Sequence, residues 1–152
     1  MDKLAYIKEF LKIRLELLSI IQSIDNESAE LTKLKNSWSI KDLIAHINWY
    51  DNECVLLIKT KNLEGSKLWG LSPDERNRKI RKLNSSKLWD ELISEFKNNT
   101  PRIKSGIENL SVEEWQNPRS FKQMPLELKP FEIIDSNLND HYNDHLKQLK
   151  EV

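Results

Sequence analysis

The sequence predicts an all-α protein built as a four-helix bundle, and three observations carry that prediction. Apolar residues recur at three- and four-residue steps through four segments of about twenty residues, and nowhere does the chain alternate with the period of two that a half-buried strand requires. Only 3 Gly and 5 Pro occur in 152 residues, too few for the many tight turns of an all-β fold. Apolar residues make up 38% and charged residues 32%, enough for a packed core and too apolar for a disordered chain. The length suits a single domain over residues 1–152.

The first helix is expected from Leu4, Ile7, Leu11, Leu15, Leu18 and Ile21, ending before the polar run Asp25-Asn26-Glu27-Ser28. The second starts at about residue 39. Ser39 and Asp42 form a capping-box pattern with Trp38 placed as a hydrophobic staple, and the stripe Ile40, Leu43, Ile47, Tyr50, Cys54, Leu57 follows. Ser72-Pro73-Asp74-Glu75 then opens a short extra helix to about Leu83, inside the connection between the second and third long helices. Its residues Arg76, Arg78, Lys79, Arg81 and Lys82 read as a solvated face, since the chain has no excess positive charge.

Ser85 or Ser86 is expected to open the third long helix, carried by Trp89, Leu92, Phe96, Ile103, Ile107 and Leu110. Pro101 removes a backbone donor within it, which predicts a kink or brief break near Asn98 to Thr100. Ser111 and Glu114 cap a single turn around Trp115. Pro118, Pro125 and Pro130 mark irregular chain, and the last helix is expected from about Phe131 to Lys150.

Charge and cysteine content exclude several function classes. Lys+Arg 24 against Asp+Glu 24 leaves zero net charge, so neither nucleic acid nor a membrane surface is an expected partner. No apolar run approaches the roughly 18 residues of a membrane span. The single Cys54 has no partner for an internal disulfide, and the stretch from Met1 to Leu4 has no secretory pattern, so a cytoplasmic location is expected. Cys54 reads as core filler rather than nucleophile. Trp69 and Trp115 lie near loops, where they would fold over a pocket mouth or form a satellite apolar cluster.

The 3 histidines carry the functional signal. In the last helix the core-facing steps run Phe131, Ile134, Leu138, His141, His145, so two histidines occupy places suited to leucine. His46 falls on the inward side of the second helix. Three histidines placed at random would all reach apolar faces with a probability of about 0.08. Residues four apart on a helix bring two imidazoles within reach of one cation, and a third from a facing helix completes a three-nitrogen face. Burying three imidazoles is costly unless their nitrogens are satisfied, and a shared cation satisfies three at once. Asp42, and either Asp144 or a backbone carbonyl, are candidates to orient the rings. Trp49, Tyr50 and Glu53, near His46, and Asn137, one turn before His141, are candidates to line a pocket.

The segments Trp38-Ser39-Ile40-Lys41-Asp42-Leu43-Ile44-Ala45-His46 and Asn137-Leu138-Asn139-Asp140-His141-Tyr142-Asn143-Asp144-His145-Leu146 resemble the two histidine motifs of the DinB/YfiT-like metalloenzymes. The likeness also takes in Leu110-Ser111-Val112-Glu113-Glu114. It implies an antiparallel four-helix bundle with His46, His141 and His145 as ligands of a divalent metal, nickel or zinc first, iron or manganese next. It further implies transfer of a low-molecular-weight thiol such as bacillithiol, mycothiol or glutathione to a small electrophilic substrate, or hydrolysis. Relatives commonly pair, so a homodimer is compatible. The alternative is a noncatalytic, stress-related bundle that holds a metal or ligand.

Overall fold

A computed structural model describes all of residues 1–152. Its elements are helices: α1 (Lys3–Gln22), α2 (Asn26–Leu31), α3 (Ile40–Thr60), α4 (Pro73–Asn84), α5 (Trp89–Asn109), α6 (Val112–Gln116), α7 (Pro130–Asn137) and α8 (Asn139–Lys150), with short 3-10 turns at Lys67–Gly70 and Pro118–Ser120. No strand is present; two isolated backbone bridges, Lys33 with Ser39 and Asn62 with Lys122, tie loops together. The all-α bundle predicted from the sequence is what the chain forms.

The bundle is organised around α3, which packs chiefly on α5, while α1 packs on α5 and α8. Gly106 permits the closest part of the α3–α5 approach, because a Cβ there would meet Ile58 Cγ2 at 3.1 Å. Phe10, Leu17, Leu43, Ile47, Phe96, Ile103, Ile134 and Tyr142 are fully enclosed in one continuous core. Trp115 joins it, with its ring 5.3 Å from that of Tyr6, rather than covering a pocket.

Five boundaries or faces differ from expectation, each for a local reason. The polar run after α1 is a helix start: Asp25 accepts from the Ser28 N–H at 2.7 Å and opens α2. The inward face of α1 is Tyr6, Phe10, Ile13, Leu17 and Ile21, whereas Leu4 and Leu15 lie outside. Ser85 does not open α5, because its hydroxyl donates to the Lys82 carbonyl at the end of α4; α5 begins at Trp89, with Glu91 accepting from the Leu88 N–H at 2.7 Å. Pro101 does not interrupt α5, which is helical through residues 98 to 100. One missing donor in twenty-one residues is outweighed by packing on both sides of it, where Phe96, Asn99 and Ile103 are buried.

The fifth difference matters most. The last helix is two helices, separated at Leu138 with φ −117° and ψ −99°. The Asn139 N–H, released from the helical ladder, turns towards the Tyr6 hydroxyl at 3.4 Å, and the Asn139 amide reaches the Tyr6 carbonyl at 3.5 Å. The break moves the helical phase on by one residue. Tyr142, Leu146 and Leu149 take the centre of the core, and His141 and His145 stand on its flank, facing α3.

Candidate metal centre

His46 stands on the second turn of α3, and chemistry at the helix start sets that turn. Ser39 Oγ accepts from the Asp42 N–H at 3.0 Å while the Asp42 carboxylate accepts from the Ser39 N–H at 3.0 Å, closing the predicted capping box. Asp42 is therefore spent on the cap and does not orient His46. The group that does is Asn77 of α4, whose Oδ1 lies 3.1 Å from His46 Nδ1. Trp38 sets its ring edge-on to His46 with centroids 5.1 Å apart.

α8 presents His141 and His145 on the same side, one turn apart. His141 Nε2 lies 2.9 Å from His46 Nε2 and 2.7 Å from His145 Nε2. The three ligand atoms lie within 4.8 Å of one another, and no Cys, Asp or Glu joins the group. His145 Nδ1 is held by Gln148 Oε1 at 2.7 Å. Asp144, the other expected orienting group, stays at the surface, 3.8 Å from Lys147.

These contacts define which protons the rings carry. The amide oxygens of Asn77 and Gln148 draw the protons of His46 and His145 to Nδ1, leaving lone pairs on both Nε2 atoms. Neutral His141 has at most one Nε2 proton for two such neighbours, so three neutral imidazoles leave lone pair against lone pair. A cation accepts all three lone pairs together, and bonds of about 2 Å place neighbouring donor atoms about 3 Å apart, close to the separations found. The donor set therefore fits a metal ion. In that state the His141 proton belongs on Nδ1, which is buried without a hydrogen bond of good geometry, although the Asn137 backbone on that side favours a proton there.

Electrostatics keep the rings neutral. Burial, then the neighbouring His141 and His145, pushes His46 down to about 2; burial, then His145, pushes His141 down to about 3. His145 is lowered by burial against opposing effects from Gln148 and Asp144. Unprotonated imidazoles are the form that binds metal.

Of the other expected pocket residues, Tyr50 is at the centre, its ring 4.6 Å from both His46 and His141. Burial raises its phenol above the ordinary value, with Arg76 opposing. Trp49 packs outside it, 5.0 Å from Tyr50 and 5.1 Å from Trp69. Glu53 does not reach the histidines: it accepts from the Ser66 N–H at 2.8 Å and the Trp69 indole N–H at 2.7 Å, pinning the 65–70 loop over the site. Glu53 and Asn137 instead line an adjoining cavity of about 260 Å³, shared with Trp69, Leu57, Leu63 and Ile133. Cys54 borders it from the core, its thiol pushed up by burial and then by Asp51.

Sequence reasoning passed over Asn77 and Gln148, and its reading of Arg76 as part of a solvated face is corrected by the burial of that residue. Arg76 lies four residues before buried Ile80, which puts it on the inward stripe of α4, and is itself buried. Its guanidinium carbon lies 4.9 Å from the Trp69 ring centroid. Also unforeseen is the trio beneath the site: Arg14 Nη1 meets Asp51 at 2.5 Å, the Tyr142 hydroxyl donates to the same carboxylate, and Arg14 Nη2 donates to the Phe96 carbonyl at 2.5 Å. Tyr142 sits between the two histidines of α8, so this trio anchors the segment that presents them.

No helix is long and apolar enough to cross a membrane. No curated protein and no solved structure is a match for the chain. The family model of the DinB superfamily matches residues 9–149, a span that takes in all three histidines, Asn77 and Gln148, and the chain belongs to that superfamily.

Proposed function

We propose that the protein is a divalent-metal-dependent enzyme in which His46, His141 and His145 hold one cation, nickel or zinc before iron or manganese, and a low-molecular-weight thiol or water is activated there for attack on a small electrophile. The supporting observation is the convergence of three imidazole Nε2 atoms, on rings two of which are oriented by Asn77 and Gln148, in a group that contains no further metal-binding side chain. Three protein donors leave coordination positions for water, thiol or substrate, whereas a structural site is closed by a fourth protein donor. A bound cation supplies the charge that stabilises a thiolate or hydroxide near neutral pH. The protein's own part is to orient the imidazoles, to keep them unprotonated, and to wall the site with Trp38, Tyr50 and Trp69.

The reaction is expected in the thiol-transferase or hydrolase class, with a small-molecule substrate and neither nucleic acid nor membrane as partner. Elemental analysis of protein purified without a histidine tag should find about one divalent ion per chain, and a metal-free result from protein grown in supplemented medium would end the proposal. The metal-loaded protein is then to be screened with bacillithiol, glutathione or water against small electrophiles. Turnover that disappears in the His141→Ala, His145→Ala variant supports the enzyme; metal binding with no turnover on any of them moves the reading to a noncatalytic metal- or ligand-binding bundle.

A further inference from the structure

Arg76 is a buried cation with nothing opposite it. Its side chain is about nine-tenths enclosed, its Nε is fully shielded without a hydrogen-bond partner, and its guanidinium enters no ion pair and donates no hydrogen bond within the chain. A guanidinium does not lose its proton in a protein, so the charge is permanent, and its two terminal nitrogens, which are not shielded as Nε is, have no partner within the chain. The one interaction it makes is over the face of Trp69, at 4.9 Å. A cation–π contact offsets only part of what it takes to withdraw a charge from water. By contrast the other buried arginine, Arg14, has a carboxylate, two hydroxyls and a carbonyl around it.

Position gives the missing partner its place. Asn77, the next residue, touches His46, and the charge of Arg76 is felt by both His46 and Tyr50. Trp69, on which Arg76 stacks, is locked by its indole N–H to Glu53, which spends that carboxylate elsewhere. No carboxylate belongs to the three-histidine group either. The neutral imidazoles offer Arg76 no counter-charge, and the one carboxylate near Trp69, Glu53, is held by the Ser66 and Trp69 N–H groups and makes no ion pair with it.

We propose that Arg76 is the docking cation for a carboxylate on the small molecule that enters the three-histidine centre. The planar fork of a guanidinium matches the two oxygens of a carboxylate, a geometry an ammonium does not supply. The inference deepens the metal-dependent reading by naming its substrate class, and rests on it for the role of the bound acid. The carboxylate belongs either to the electrophile or to the thiol, and the two are separable by probe.

The full chain, zinc-loaded and chelator-treated, is to be titrated with succinate, with N-acetylcysteine, and with the uncharged amides of each. The Arg76 Nε–H resonance in nitrogen-15 spectra and calorimetry are the readouts, with zinc affinity measured on the same samples. Succinate binding that shifts this resonance places the acid on the electrophile; N-acetylcysteine alone doing so places it on the thiol. In either case the matching amide should bind at least tenfold more weakly, Arg76→Gln should lose binding by at least tenfold, Arg76→Lys should retain part of it, and Arg78→Gln, on the exposed side of α4, should match the wild type. Equal binding of acid and amide, or an Arg76→Gln variant that binds as the wild type does, overturns the inference even when zinc binds. Acid binding through Arg76 in a chain that binds no zinc keeps the anion site and removes the metal reading. Should Arg76→Gln unfold, the wild-type resonance still decides the question.

Discussion

Arg14, Asp51 and Tyr142 meet in the middle of the bundle, and every polar atom of the trio has a partner; His46, His141 and His145 meet close by on α3 and α8, the helices that carry Asp51 and Tyr142, and their nitrogens oppose one another. The first cluster closes on itself. Its charges are opposite, its donors match its acceptors, and Asp51 and Tyr142 are fully buried. Burial pushes the Asp51 carboxyl up while Arg14 and the Tyr142 hydroxyl pull it back down. The second cluster lacks one component, and beside it Arg76 lacks another. Polar groups are enclosed at such expense twice and satisfied within the chain only once, which is the contrast behind the proposal that the second cluster takes a ligand.

The largest effect should come from breaking the closed cluster. Arg14→Leu leaves the Asp51 carboxylate buried beside an apolar side chain and should lower the free energy of unfolding by about 3–5 kcal/mol, measured in urea. Removing both charges, as in Arg14→Met with Asp51→Leu, should recover much of that loss. If the single substitution is nearly neutral, the trio is not what anchors α8. The open cluster should respond in another way: the His141→Ala, His145→Ala variant should fold, yet lose the stabilisation zinc gives the wild type, about 2.7 kcal/mol at a free zinc concentration a hundred times its dissociation constant. A zinc-induced rise in melting temperature that survives in this variant would place the metal elsewhere.

A smaller effect sharpens the contrast. Asn77→Ala removes the acceptor that orients His46 without touching a ligand atom, and should weaken zinc binding by about 10- to 100-fold while leaving the urea midpoint of the metal-free protein close to that of the wild type. The last expected shift needs no substitution. In metal-free protein the histidine values are depressed on folding, from 6.5 to about 2 for His46 and about 3 for His141, so the unfolded chain takes up protons that the folded chain refuses. Stability should be fully present above pH 6.5 and should fall as the pH drops from 6.5 towards 3, slightly over the first unit and more steeply after it. Zinc should delay that fall, and a metal-free stability flat between pH 7 and 5 would mean that the imidazoles are not held neutral.

The centre was legible in the sequence where it depended on spacing within one helix. A capping box at Ser39 and Asp42 sets the turn of α3 that carries His46, and a four-residue interval puts His141 and His145 on one side of α8. The groups that orient the rings were not legible. Asn77 reaches His46 across 31 residues of sequence, and Gln148 was hidden by the more familiar choice of Asp144, which stays in water with Lys147. Arg76 was read as part of a solvated face because charge patterning outweighed its place four residues before Ile80.

By itself, then, the sequence determined the helical class, the first three long helices, and the identity of the three residues that meet, because periodicity and caps act within a few residues of the chain. Only the tertiary structure decided their final orientation. The last helix breaks at Leu138, where Asn139 faces Tyr6 of α1, and the phase of everything after it shifts by one residue, so that Tyr142 enters the core and the histidines turn to its flank. That contact joins positions 133 residues apart, and no local pattern encodes which backbone N–H will face a distant hydroxyl. The same distance hid Arg14 beside Asp51: a buried charge is recognisable from sequence only once its partner is known, and the partner is supplied by packing.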